Sequence, residues 1–255
     1  MDLSIAIIAG AACGFINTLA SSGSALTLPA LLLLGLSPAD ANGTNRLPVF
    51  FAALIASFTY IKRGAVDWKL ARYIVLPSLT GAVLGVFIAD HIPEKAIKTL
   101  IIFAVVIALL LLMTNVKNAL NAVSNELPRY RLQEAFYLFL TGIWMGLIVL
   151  DSATYLLLVF VMAMRLPLLQ ATTYKNLVLL FGMGLSLVIM SVEGNVNWEI
   201  GGYMSLGSIL GGYIGARFSF HHLAKIWTYR LLVTMISLEI MHIALTEWLV
   251  LNSKI

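Results

Sequence analysis

The sequence predicts an all-α integral membrane protein built from two inverted repeats, and three observations carry that prediction. Of the 255 residues, 60% are hydrophobic and only 11% are charged, with a mean hydropathy of +0.95; water-soluble domains carry about 25% charged residues. Much of the chain also repeats at a lag of 130 residues, since Gly64, Val66, Trp68, Gly81, Gly85, His91 and Lys95 recur as Gly194, Val196, Trp198, Gly211, Gly215, His221 and Lys225. Finally, equivalent loops carry opposite charge bias. The loop around 62–72 holds Lys62, Arg63, Lys69 and Arg72, whereas its copy around 192–202 holds Glu193 and Glu199 with no basic residue. In the next pair Asp90 and Glu94 offset Lys95 and Lys98, while the copy around 217–230 holds Arg217, Lys225 and Arg230 without a carboxylate. Short cytoplasmic loops are enriched in Lys and Arg, so the copies are expected to face opposite sides of the bilayer.

The elements follow from the apolar runs and their breakers, a bilayer core needing about 20 apolar residues per helix. Leu3–Leu19 has no Lys or Arg before it, Arg46 being the first, so it lacks the positive region of a signal peptide and is expected to be retained. Ser21-Ser22-Gly23-Ser24 then interrupts the chain ahead of Leu26–Leu36, which is shorter than a span and reads as a half-helix. Leu47–Ile61, Ile74–Ala89 and Ala96–Met113 complete the first half. The second half runs Phe136–Leu150, a break at Asp151-Ser152, the short Ala153–Met164, then Leu177–Val192, Ile200–Ile214 and Ile226–Leu251. Ser24-Ala25 aligns with Ser152-Ala153 at a lag of 128, two residues less than elsewhere. Each repeat is thus expected to hold a broken or re-entrant first element followed by three transmembrane helices. The organisation is a first repeat over 1–114, a polar cytoplasmic linker over 115–130 and a second repeat over 131–255, with both termini periplasmic.

Composition removes several function classes. A net charge of +4 without a basic stripe excludes a nucleic-acid footprint. A single cysteine, Cys13, excludes a disulfide framework, a CxxC redox pair and a thiolate metal cage. His91, His221 and His222 lack companions at ligand spacing, no nucleophile motif or phosphate loop is present, and neither a metal nor a cofactor is implied. Trp68, Trp198, Trp227 and Trp248 read as interfacial anchors, and Gly81/Gly85 with Gly211/Gly215 as sites of close helix packing. Lipid-facing glycine surfaces of that kind suit a homodimer.

Inverted repeats with interrupted helices are the plan of secondary transporters, whose sites lie near the midplane where broken helices meet. Polar residues cluster at those breaks: Asn17, Thr18 and Ser21–Ser24, then Asn42-Gly43-Thr44-Asn45-Arg46 in the first half, and Asp151, Ser152, Thr154, Tyr155, then Thr172–Asn176 in the second. A Thr or Asn ahead of Pro48 reads as the cap of a helix N-terminus, where bare N–H groups favour an anion. Asn45-Arg46 aligns with Lys175-Asn176, so each half offers one cation and one amide at the same place. The candidate substrate-binding residues are Ser24, Thr44, Asn45, Arg46, Ser152, Tyr155, Lys175 and Asn176, with Asp151 as the candidate for proton coupling. Buried ionisable groups in membranes are costly and mark pathways. Against this stands a structural reading, in which Ser, Thr and Asn satisfy backbone groups at helix breaks and the cations reach for the interface. Glu239 and His242 share a face of the last helix and could pair or relay protons, or lie at an oligomer contact.

Gly23-Ser24 with Leu26 and Pro29, then Leu33–Gly35, Pro38, Ala41 and the run Gly43-Thr44-Asn45-Arg46-Leu47 resemble the sulfite exporter TauE/SafE family. The similarity spans nearly the whole chain, including the duplicated halves and the Gly-rich stretch Gly81–Gly85. The second half departs from the pattern, reading Thr173-Tyr174-Lys175-Asn176-Leu177. The resemblance implies a permease of the bacterial inner membrane for sulfur-containing or related small anions, with sulfite leading. The expected function is therefore export of a small sulfur-containing oxyanion by alternating access between the repeats. Permeation of organosulfonates or other organic anions, or an anion channel, is the alternative, and a non-transporting membrane protein a third class.

Overall fold

The computed structural model describes residues 3–20, 23–89, 91–92, 100, 103 and 130–252, the side chains of 3, 239 and 242–252 excepted. The Ser21-Ser22 interruption, the linker apart from Tyr130, the run 96–113 apart from Leu100 and Phe103, and the Glu239/His242 pair lie outside the described residues or side chains. Among the described residues every regular element is helical. The first half contains α1 (Leu3–Leu19), α2 (Ser24–Leu33), α3 (Pro38–Lys62) and α4 (Trp68–Ala89). The second contains α5 (Leu132–Leu147), α6 (Ser152–Leu158) continued by a π turn over Val159–Ala163, α7 (Leu168–Val192), α8 (Trp198–Phe218) and α9 (Ala224–Asn252). A long helix, a short one and two long ones thus occur in the same order twice.

Local chemistry sets the ends. The Ser37 hydroxyl accepts the Asp40 backbone N–H at 3.1 Å and Pro38 occupies the first turn, so α3 starts there. Glu134 accepts the Arg131 backbone N–H at 2.9 Å at the head of α5, and Asn197 accepts the Ile200 N–H at 3.0 Å at the head of α8. α3 and α7 close alike: Gly64 (φ 67°) and Gly194 (φ 80°) turn the chain, and Ala65 and Asn195 donate back to Tyr60 and Met190, both at 3.0 Å. The short helices also share a left-handed exit, Gly35 in the first half and Arg165 (φ 57°) in the second.

The starts of α3 and α7 correct the sequence reading. These helices begin at Pro38 and Leu168, about two and a half turns before the expected Leu47 and Leu177. Asn42–Arg46 and Thr172–Asn176 therefore lie inside helices, Pro48 is internal, and neither stretch is a helix N-terminus offering bare N–H groups. Ser37-Pro38 and Pro167 are the true start signals; the intervening polar residues suppress the apolar pattern without breaking the helix.

The halves interlock. α1 lies along α8, and α4 lies along α5, so each half's first helix packs on the other half's last described helix but one or its counterpart. Both crossings use glycine against backbone. Gly10 and Gly14 abut the carbonyls of Met204 and Ser208, while Gly207 and Gly211 abut those of Ile7 and Ala11. At the second crossing Gly142 and Gly146 abut the carbonyls of Ser78 and Ala82, and Gly81 and Gly85 those of Phe139 and Ile143. Small residues let the backbones approach, which compensates for the missing hydrophobic drive between helices in lipid. The Gly81/Gly85 and Gly211 faces offered to a second copy are filled within the chain.

Polarity is inverted relative to a soluble protein. Ile8, Phe58, Leu76, Phe87, Val188 and Leu210 are exposed on the outside, while Asn17, Thr18, Asn45, Arg46, Lys175 and Asn176 are buried inside. α4 and α7 are long and apolar enough to cross a bilayer. Adding a Cβ at the crossings should be costly: Gly207→Ala, which drives a methyl into the Ile7 carbonyl, is expected to lose about 1–3 kcal/mol of stability. Gly202→Ala, with nothing within 4 Å, should be neutral or gain up to about 1 kcal/mol from helix propensity. Thermal unfolding in one detergent compares the two, and equal midpoints would contradict the crossing.

Candidate functional site

The breaks after α1 and α5 leave the last carbonyls of both helices without helical N–H partners, and the negative ends of their dipoles point there. A cation from the opposite half binds each. Arg46, on α3, donates from its two terminal nitrogens to the carbonyls of Met145 at 3.0 Å and Gly146 at 2.8 Å, and its Nε lies 3.1 Å from the Met190 sulfur. Lys175, on α7, donates to the carbonyls of Asn17 at 2.7 Å and Thr18 at 3.0 Å. At the lag of 128 that relates the breaks, Asn17 and Thr18 correspond to Met145 and Gly146, so equivalent carbonyls are capped. Both cations are 0% exposed. They engage helix C-termini, the opposite pole from the N-terminal geometry expected of them.

The remaining candidates divide between the two ends. At the α1 end, the Asn176 amide donates to the Thr18 carbonyl at 3.2 Å and the Thr172 carbonyl at 2.8 Å. Asn45 accepts the Thr27 hydroxyl at 2.6 Å, and Ser24 is buried at the head of α2. At the α5 end, Asp151 occupies the left-handed region (φ 56°) just before α6, accepts the Thr154 hydroxyl at 3.3 Å and is buried. Ser152 donates to the Val149 carbonyl at 2.9 Å, a local turn contact, and Tyr155 packs edge-on against Trp144 at 6.0 Å between ring centres. Thr44 lies apart from both ends, accepting the Asn197 backbone N–H at 2.9 Å where α8 begins. Two surface concavities of about 530 and 500 Å³, at Lys69–Pro77 and Leu132–Phe136, include none of these residues.

Three contributors lie outside the candidate binding and proton-coupling residues. Asn42 spans the α5 break, donating to the Leu147 carbonyl at 3.2 Å and accepting the Val149 N–H at 3.0 Å. Trp144 donates to the Leu150 carbonyl at 2.8 Å, holding the same loop. Thr27 orients Asn45 and lies 3.7 Å from the Cys13 sulfur. Asn42 belonged to a polar stretch already marked, but Thr27 and Trp144 sit inside apolar runs and gave no signal beyond their own polarity.

The family description "Sulfite exporter TauE/SafE" matches residues 6–241, which is most of the chain. The chain belongs to the sulfite exporter TauE/SafE family. Relatives agree along their length. A probable membrane transporter protein, ORF9, of Sinorhizobium is 29% identical over 93% of this chain and 91% of its own. One from Haemophilus influenzae is 27% identical over 85% and 87%, and YfcA of Escherichia coli K12, also a probable membrane transporter protein, is 25% identical over 80% and 76%. No solved structure matches. The TauE/SafE chain is accordingly a membrane transporter, and its buried cations lie in a protein whose outer surface meets lipid.

Asn42 provides the direct test of the α5 break. Asn42→Leu would leave the Leu147 carbonyl and the Val149 N–H without their partner, which should lower stability by about 1–3 kcal/mol. An unchanged unfolding midpoint in detergent would show that the break does not depend on it.

Proposed function

We propose that this TauE/SafE transporter exports a small sulfur-containing oxyanion, sulfite foremost, across the bacterial inner membrane by alternating access between two inverted repeats. The observation that carries the reading is the crossed capping: Arg46 and Lys175, both fully buried, each bind the broken end of the other half's first helix. A buried cation in lipid is expensive, and one held by carbonyl dipoles rather than a carboxylate keeps its net charge for an anion. Movement of one repeat against the other would change the competition between helix end and solute. Ser24, Asn45, Asn176, Ser152 and Tyr155 would then replace hydration around the solute, with Thr44 near the α8 entry and Asp151 as the group able to take a proton and release a cation.

A negative interior favours anion export by about 2.3 kcal/mol per charge per 100 mV, so the potential alone can drive the flux. The repeats, with the linker over 115–130 cytoplasmic and both termini periplasmic, place equivalent loops on opposite faces. A homodimer would need a surface other than the Gly81/Gly85 face, which α5 covers.

Two experiments test the reading. In proteoliposomes, Arg46→Ala and Lys175→Ala should each lower labelled sulfite flux at least tenfold relative to wild type, and undiminished flux in both variants would discard the site. Arg63→Cys and Glu193→Cys sit at equivalent exposed positions. With Cys13 buried, a membrane-impermeant maleimide should label Glu193→Cys from outside intact cells and Arg63→Cys only after permeabilisation. Labelling of both from one side would rule out inverted repeats.

A further inference from the structure

Two buried carboxamides, Asn176 at the end of α1 and Asn45 against α2, present opposite chemistry. The Asn176 amide nitrogen is fixed by two carbonyls, Thr18 and Thr172, which can only accept, so its oxygen is the atom left over. That oxygen is buried and has no hydrogen-bond partner. Asn45 is the reverse. Its contact with the Thr27 hydroxyl is 2.6 Å, a length that fits O–H···O and is short for N–H···O, so the oxygen faces Thr27. Its amide nitrogen is then the buried atom without a partner. Both side chains are 0% exposed, and a carboxamide half-satisfied in the core costs stability unless something completes it.

Both amides connect to α1. Asn176 is tied to Thr18 directly, and Asn45 through Thr27, which lies 3.7 Å from the Cys13 sulfur on the same helix; Gly23, just before α2, sits against the side chain of Asn17. The Thr18 hydroxyl is a third buried group there without a partner, and the Lys175 ammonium binds the adjoining carbonyls.

We propose that Asn45 Nδ2 and Asn176 Oδ1 form a neutral donor–acceptor pair that binds a monoprotonated inorganic oxyanion, one amide giving a hydrogen bond to an oxygen and the other accepting its O–H. Thr27 is the positioning residue that turns the Asn45 amide nitrogen to the ligand. The proposal rests on the oxyanion reading above and narrows it. A fully deprotonated anion or a sulfonate has no proton for Asn176, and a site that leaves a buried polar atom unpaired rejects such an analogue strongly.

Sodium sulfite, below its second dissociation, and sodium methanesulfonate supply ions of the same single charge with three oxygens on sulfur; the first can carry its proton on an oxygen, and the second has a methyl on sulfur and no O–H. Calorimetric binding to the purified full chain at one pH and ionic strength should favour sulfite at least tenfold. Asn176→Leu should reduce that preference to under threefold. Asn45→Asp, which keeps the acceptor for Thr27 and removes the donor, should weaken both ions at least tenfold. Thr27→Val should weaken sulfite binding, and Thr27→Ser should restore it relative to Val. Equal wild-type affinity for the two ions overturns the pair, as does a preference that persists in a folded Asn176→Leu protein, and either result leaves the oxyanion transporter standing. If Asn176→Leu does not fold, the wild-type preference and Asn45→Asp decide. Binding and flux of neither ion would overturn the oxyanion reading itself.

Discussion

A helix that stops inside a bilayer leaves carbonyls that water cannot reach, and each must find a donor within the protein. α1 and α5 both stop inside the protein, beside buried Asn17, Thr18 and Met145, and the donors come from across the molecule: Lys175 for the first, Arg46 for the second. Each cation in turn needs somewhere to spread its charge, and a helix C-terminus supplies partial negative charge without a carboxylate. The two requirements answer each other, which is why the break and the cation occur as a pair in both halves.

The glycine crossings enforce that exchange. Because α1 is clasped by α8 and α5 by α4 with backbone on backbone, the broken ends are carried into the opposite half, within reach of α3 and α7. Neither half on its own provides both a broken helix and its cap. At the α5 break Asn42 and Trp144 secure the loop with three bonds, and at the end of α1 the Leu19 carbonyl accepts the Thr228 hydroxyl at 3.4 Å.

Much of the scaffold was legible because lipid imposes simple rules. The run Leu3–Leu19 is α1 from end to end, and the short elements stood out by length. The starts of α3 and α7 were misread because polar residues such as Thr44 and Lys175 look like loop when the partners that satisfy them lie on other helices. The burial of Arg46 and Lys175 followed from the scarcity of charge, but their partners did not, since backbone carbonyls carry no residue identity. Thr27 was hidden by its neighbours Leu26 and Leu28; a lone hydroxyl in an apolar run has many innocuous uses, and only the distance to Asn45 gives it a role.

A transporter also needs its charged groups to be occupied yet releasable, and the carbonyl caps meet that condition in a way ion pairs would not. Removing a buried cation from a carboxylate leaves two uncompensated charges in lipid, a penalty of several kcal/mol. Withdrawing it from a helix end leaves one full charge, the cation, which the anion meets, and behind it only partial charges, which the neighbouring hydroxyls and amides can partly satisfy. In the proposed cycle, Arg46 or Lys175 would leave its carbonyls for the anion, and the solute's own binding energy would shift the balance between the two states.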